Sequence, residues 1–427
     1  MKLLILGAGH IQENAIRKAK ALGHTVIVSD YYSDPPGKAW ADYHEQVSTF
    51  DIEQNIAIGL KYQIDGVMTL GTDQPVYTAA CVAERLKLPS LLDVSTAKAV
   101  TNKKVMKRIF REKGIPTVNY VLTAEKFNDR ALKDLRFPVV VKPLDSQGQR
   151  GVYKLQSITE IREVFQDVLS YSRERELLVE EYYPNSEITV SGWVKEGELF
   201  LISVVDRISL ENRRHIGICT AHHFPSRFLK THYSQIKTIS ESIVSAFQIK
   251  NGPVYFQMLI GREGVKVNEI ACRIGGAYED IYLERATGID LLEMLIRASL
   301  NQPLDFKPFN GYDILANEKR FSVEMFFAKS CEIHSITEVK SVEELPGIIR
   351  SGFNFKPGDR IREIINATQR AGYFIAEGEN EAVLRENVER AYGKIGIYDS
   401  QGNNQLIRLP EKKYNSSEPL MNTNKRE

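Results

Sequence analysis

No stretch of this sequence stays apolar for the roughly 20 residues that a membrane-crossing helix needs, so no bilayer-spanning helix is expected. Cysteine is scarce: Cys81, Cys219, Cys272 and Cys331 are the only four in 427 residues, far apart, with no CxxC pair and no zinc spacing. That pattern excludes a disulfide framework and makes a reduced, cytoplasmic setting the simpler expectation. Net charge is lacking too. Lys+Arg 56 against Asp+Glu 55 leaves +1, without a long basic block. The expected partners are therefore small molecules, not nucleic acid or membrane. What is present is an ordinary globular composition, 43% hydrophobic and 26% charged. The length exceeds what one core usually serves, so two or three domains are expected. The start, Met1-Lys-Leu-Leu-Ile-Leu-Gly7, reads as a first strand, being too short and too glycine-rich for a secretory segment.

The first hundred residues alternate short apolar runs with helical patterns: Leu3 to Leu6, Ile11 to Leu22, Thr25 to Ser29, Gly66 to Leu70, Pro75 to Leu86. Strand and helix in that rhythm predict a parallel sheet with helices on its faces. Gly7 and Gly9 stand at the first strand-to-helix turn, where exposed amides can receive an anion. With Asp30 ending the next strand, a dinucleotide site is one reading, although Gln12 stands where the third glycine of that fingerprint belongs. Thr72 and Asp73 read either as a self-capping helix start or as substrate contacts. A helix from Asn102 to Lys113 is predicted next, closed by Gly114 and Pro116.

Four segments then carry chemistry. In Phe137-Pro-Val-Val-Val-Lys-Pro143 the β-branched run favours a strand that delivers Lys142 at its end. In Asp145-Ser-Gln-Gly-Gln-Arg-Gly151 two glycines, Gly148 and Gly151, can turn consecutive N–H groups toward one point, a nest for phosphate to which Ser146 adds a hydroxyl. Arg150 lies over the same phosphates or is solvated. Leu178-Val-Glu-Glu-Tyr182 ends a buried strand in two acids, Glu180 and Glu181, either ligand-facing or hinge charges in solvent. Tyr255 to Leu259 and Val265 to Glu269 read as strands paired across the turn Gly261 to Gly264. Strict alternation puts Glu269, Ala271 and Arg273 on one face and Asn268 on the other.

In that order the four segments resemble the ATP-grasp superfamily, closest in pattern to L-amino-acid ligases and to the carbamoyl-phosphate-synthetase-like and purine-pathway enzymes. The resemblance covers the chain from Lys2 to about Gly396. It implies α/β and α+β architecture: a Rossmann-like preliminary domain (1–100), a two-subdomain ATP-grasp fold (101–305), a small β-rich C-terminal cap (306–410) and a disordered tail (411–427). It implies ATP as substrate with Mg2+, or Mn2+, beside it. Lys103 or its neighbour Lys104, Lys142, Ser146, Gly148 and Gly151 would bind phosphates; Glu180, Glu181 and Tyr182 would line the adenine, and Glu187 would hold the ribose. Gln257 and Glu269 would hold the metal, and Arg273 would contact the transferring phosphoryl group and the carboxylate, with Lys142 assisting. Two departures stand out: Asn102 precedes Lys103 where an acid is commoner, and Ala271 replaces an asparagine, as in some amino-acid ligases.

The activity implied is an ATP-dependent carboxylate–amine ligase acting through an acyl phosphate, with an amino acid among its substrates. The alternatives are a purine-pathway-like formyl or carboxyl ligase and a catalytically weak ATP-binding regulator. A homodimer is left open. His222-His223-Phe-Pro-Ser226 falls where relatives line the acceptor pocket, with His223 as the candidate base or carboxylate contact. Further on, Phe321 to Phe327 and Arg370 to Ala376 read as strands and Glu379 to Ile395 as a helix.

Overall fold

The computed structural model describes residues 1–212 and 214–408. The tail 411–427 lies outside the described residues.

The N-terminal apolar runs form four parallel strands, β1 (Lys2–Leu6), β2 (Thr25–Ser29), β3 (Tyr43–Glu45) and β4 (Gly66–Met68), in the order β3-β2-β1-β4. Helix α1 (Glu13–Ala21) links β1 to β2, α2 (Ile52–Tyr62) links β3 to β4, and α3 (Gln74–Leu86) follows β4. Leu3, Ile5, Val26 and Val28 pack into one core and Leu4, Leu6 and Ile27 into another, so the sheet is buried on both faces. This explains why its strands read as unbroken apolar runs.

Two contacts count against the dinucleotide reading. The Gln12 side chain packs under Gly7 and donates to Leu70 O at 2.8 Å. Asp30 Oδ2 already accepts from the Ala8 N–H at 2.7 Å. The acid that would hold a ribose and one amide of the turn are thus already paired with each other.

Two helices lead out of this domain, α4 (Val94–Thr101) and α5 (Lys103–Glu112). Asn102, the unusual neighbour of Lys103, is the α5 N-cap, its side chain accepting from Val105 N at 3.2 Å. A capping asparagine does here what an acid would do, which accounts for the departure structurally.

The next strands are β5 (Tyr120–Ala124), β6 (Val139–Pro143), β7 (Tyr153–Leu155) and β8 (Glu176–Glu181), with α6 (Ile158–Ser170) packed on them. There follow β9 (Ser186–Lys195), β10 (Glu198–Asn212), β11 (His215–Phe224), helix α7 (Leu229–Ala246), β12 (Gly252–Gly261) and β13 (Gly264–Ala271). All nine join one sheet, ordered β13-β12-β9-β10-β11-β7-β6-β8-β5. Helices α8 (Glu279–Thr287) and α9 (Leu291–Ser299) then pack back toward the N-terminal domain.

The C-terminal segment opens with β14 (Arg320–Ala328), which pairs with β11 on one side and with the strand Gly372–Gly378 on the other. That strand pairs in turn with Ile348–Phe353, and the helix Glu381–Lys394 covers it. The cap is hydrogen-bonded into the large sheet, and its Ala367 N–H donates to Gly148 O of the glycine loop at 3.1 Å. Among the described residues no helix is long and apolar enough to cross a membrane, and all four cysteines are free.

Candidate active site

The β6 strand carries Lys142 to the edge of a cleft of about 540 Å³, within the range of small-molecule sites. Beyond it the glycine loop turns through positive φ at Gly148 (69°), Gln149 (57°) and Gly151 (70°). A Cβ at Gly151 would meet Tyr171 at 2.8 Å, so sterics as well as φ call for glycine there. Ser146 Oγ is buried at this loop without a hydrogen-bond partner among the described residues. An orphaned hydroxyl beside two lysines suits an oxyanion ligand.

The lysines are held by acids. Lys103 Nζ lies 2.8 Å from Glu269 Oε1 and donates to Ser146 O at 3.1 Å. Lys104 turns away to Glu176, which settles which of the two neighbours enters the cleft. Lys142 Nζ lies 2.6 Å from Glu180 Oε2 and donates to Asn268 Oδ1 at 2.8 Å. Glu180 has a second cation, Lys107, at 2.6 Å, and both members of that pair are almost fully buried. Burial pushes the Glu180 carboxyl up, but the two ammonium groups outweigh it and hold it at about 2. Burial opposes ionisation of Glu269 as well, and Lys103 overcomes it.

Lys107 escaped the sequence reading. It sits on the buried face of α5 with Met106 and Phe110, a lysine in an apolar stripe, and that misplacement was the available signal. Glu181 faces Arg136 at 2.9 Å, while its backbone N–H donates to Asn119 O. Tyr182 stacks under Lys154, 3.8 Å from ring centre to Nζ, and its hydroxyl reaches Glu211 at 3.2 Å. Glu187 accepts from Arg207 and, at 3.3 Å, from Ser209. Of the residues expected to hold phosphates, adenine and ribose, all but Lys104 and Gly151 line the cleft or its mouth.

The expected placing of Asn268 away from Glu269 is wrong. Gln257 pairs with Glu269 but Met258 with Val267, leaving Asn268 as the extra residue of a β-bulge. The bulge breaks the two-residue alternation and brings Asn268 and Glu269 to the same cleft. A second bulge does the same on β11. Ile208 pairs with Ala221 but Ser209 with Cys219, so Cys219 and His222 both face the cleft with Arg207.

His222, not His223, is therefore the cleft histidine. Its Nδ1 lies 3.5 Å from Glu279 Oε1, both side chains buried, whereas His223 Nε2 lies 3.4 Å from Glu324 of β14. Burial opposes the charge on His222, but Cys219 and Glu279 raise it to about 9. Burial likewise opposes a Cys219 thiolate, and Arg207 with His222 brings it down to about 7.

Arg273 closes the cleft toward the N-terminal domain. Its Nε and one terminal nitrogen donate to Asp73 Oδ1 at 2.9 and 2.5 Å, and its guanidinium lies 4.7 Å over the Tyr255 ring. Asp73 occupies the N-cap position of α3 without capping it, so neither sequence reading anticipated its partner. Gly276 meets Gly71 closely, and a Cβ there would approach Gly71 O to 2.5 Å.

A cleft between two β-subdomains, with strand-borne lysines, a phosphate-type loop and a carboxylate opposite, defines a nucleotide-dependent ligase of two-subdomain architecture. The ATP-grasp domain family matches residues 135–279, and L-amino acid ligase C-terminal domain 2 matches residues 324–398. Dapdiamide A synthase of Enterobacter agglomerans is 22% identical over 359 residues, covering 79% of this chain and 82% of that protein. The formate-dependent phosphoribosylglycinamide formyltransferase of Bacteroides thetaiotaomicron is 30% identical over 201 residues, 44% of this chain and 50% of that one. In fold, L-amino acid ligase from Bacillus licheniformis superposes with a TM-score of 0.78 at 18% identity, covering 93% and 98% of the two chains. The biotin carboxylase domain of Hydrogenobacter thermophilus 2-oxoglutarate carboxylase, solved with MgADP, superposes with a TM-score of 0.74 at 17% identity, covering 93% and 90%. The chain thus carries an ATP-grasp domain over residues 135–279 and an L-amino acid ligase C-terminal domain over residues 324–398, in a fold shared with an L-amino acid ligase along most of its length.

Proposed function

We propose that this protein activates a carboxylate with ATP and joins it to an amine, with an amino acid among its two organic substrates. The observation that carries this reading is the convergence of Lys103, Lys142, Glu269 and Arg273, from three separate segments, on one cleft. The match of the cap to the L-amino acid ligase domain supports an amino-acid substrate over a formyl or bicarbonate one.

A carboxylate is a poor electrophile because oxide would have to leave. Transfer of the γ-phosphoryl group gives an acyl phosphate, and the amine then displaces phosphate. The protein's part is positioning and charge neutralisation. Lys103, Lys142 and the amides of Gly148 and Gly151, with Ser146 Oγ, hold the phosphates. Glu180, Glu181 and Tyr182 border the adenine, and Glu187 accepts from the ribose hydroxyls. Arg273 grips the transferring group and the carboxylate with a planar fork.

The donor set suits a magnesium ion carried on nucleotide phosphates. Glu269 supplies one carboxylate and Gln257 an amide oxygen, and no cluster of three acidic, histidine or cysteine ligands occurs among the described residues. Such an ion neutralises charge on the phosphoryl oxygens. To hold such an ion Glu269 would have to give up Lys103, whose ammonium would then be free for the phosphates.

The test is ADP release from magnesium-ATP against amino acids, dipeptides, formate and bicarbonate, each with and without a second amine, beside Glu269→Ala. Release that needs an amino acid and vanishes in the variant supports the proposal. Release with formate or bicarbonate alone overturns the substrate reading. Tight ATP binding without release from any pair points instead to a regulator.

A further inference from the structure

We infer that Arg370 makes the acceptor end of the cleft a receptor for a second carboxylate, one that is bound and not phosphorylated. The inference rests on the ligase reading above. Arg370 follows the turn Ala367–Gln369 of the cap, the same turn whose Ala367 N–H donates to the glycine loop. This places the arginine in the wall of the cleft.

Of the other arginines that line the cleft, Arg207 pairs with Glu187, Arg227 with Asp206 and Arg273 with Asp73, while Arg150 donates to Gln147 O at 3.2 Å. The Arg370 side chain has no such partner among the described residues, and its Nε is shut off from solvent without an acceptor. Its neighbours by charge are Cys219, Tyr278, Arg207 and Tyr255: a Cys219 thiolate, itself shared with His222 and Arg207, favours its charge and Arg207 opposes it, and no carboxylate is among them. Burial and Arg207 both work against its charge. A half-buried guanidinium whose Nε has no acceptor and which has no carboxylate of its own is costly, and an acceptor brought by a ligand removes that cost.

The planar fork of the guanidinium selects a carboxylate, which it grips through two parallel hydrogen bonds. Because Arg273 and Glu269 mark the end where the phosphoryl group is transferred, the carboxylate at Arg370 is a different one. Two substrates can bring it: a dicarboxylic acid through its unreacted end, or an amine-donating amino acid through its α-carboxylate.

The experiment uses the full chain as wild type, Arg370→Gln and Arg370→Lys. ADP release is measured with paired substrates, glutamate against glutamine and succinate against succinamate as acids, and alanine against alaninamide as amines. Binding of the same compounds is measured by calorimetry with a non-hydrolysable ATP analogue. The expected result is a loss of roughly 10- to 100-fold in affinity or kcat/KM for the carboxylate member of one pair in Arg370→Gln. Its amide should change little, the KM for ATP should hold, and Arg370→Lys should recover part of the loss. The pair that responds identifies the source of the carboxylate.

Equal loss for acid and amide, no loss for either, or a wild type that binds no carboxylate more tightly than its amide overturns the inference. Selective carboxylate binding lost in Arg370→Gln, without ADP release from any pair, supports the receptor and counts against the ligase reading.

Discussion

Lys103 Nζ and Glu269 Oε1 lie 2.8 Å apart across the cleft, joining the start of α5 to the end of β13. The cation proposed for the phosphates and the carboxylate proposed for the metal thus neutralise one another. The pair tethers two segments 166 residues apart, and on the proposed function nucleotide binding would exchange one set of charge contacts for another.

Glu269→Ala should consequently uncouple binding from turnover. ADP release should fall by about 10²–10³-fold, the scale for removing one preorganised electrostatic contact, while Lys103, freed, still meets the phosphates. Steady-state ADP release beside equilibrium binding of an ATP analogue checks this. Parallel loss of both would count against it.

Arg273→Lys keeps the charge and loses the fork. Turnover should drop roughly 10²-fold with the KM for ATP little changed, since one ammonium cannot grip two oxygens in a plane. A lysine variant that turns over like wild type would remove Arg273 from the transferring group.

Lys107→Met should weaken folding more than chemistry. It leaves Glu180 with Lys142 alone at a buried site, and breaking such a pair costs about 3–5 kcal/mol. The midpoint of urea unfolding, followed by a probe in the ATP-grasp segment, measures it. An unchanged midpoint would mean that Lys107 and Glu180 are not paired in solution.

Asp280 offers a pH test. Its carboxyl is buried beside Asn14, whose Nδ2 donates at 2.9 Å; burial first, then Glu279, pushes it up to about 7. An acid whose folded pKa exceeds its unfolded value contributes stability below about pH 4 that is lost as pH rises through 7. Asp280→Asn should therefore match wild type near pH 4 and exceed it increasingly up to about pH 7, by a few kcal/mol. Thermal unfolding across that range reads the difference, and parallel curves would contradict the raised value.

Cys219 and His222 should show the opposite, a silence. Between about pH 7 and 9 the folded pair holds its one proton on the imidazole and the unfolded pair holds it on the thiol. Both states bind one proton, so the pair adds no pH slope to stability there. The exchange is visible as thiolate absorbance in the folded protein at pH 8 that is absent from Cys219→Ser.

The sequence by itself determined the order of the working segments and most of their elements. Three consecutive valines before Lys142, glycines at Gly148 and Gly151, and the acids at Glu180 and Glu269 are local signals, set by strand propensity, positive φ and alternation. The N-terminal parallel sheet was legible for the same reason, from its doubly buried apolar runs. The tertiary structure decided what no local pattern encodes. A single extra residue at Asn268, and another near Thr220, shifts a side chain to the opposite face of a strand, and a bulge is fixed by the partner strand's register. Pairings across 200 residues, such as Asp73 with Arg273, depend on which domain faces which. Whether Arg370 has a counter-ion is likewise a property of the assembled cleft, because charge balance is counted over neighbours in space.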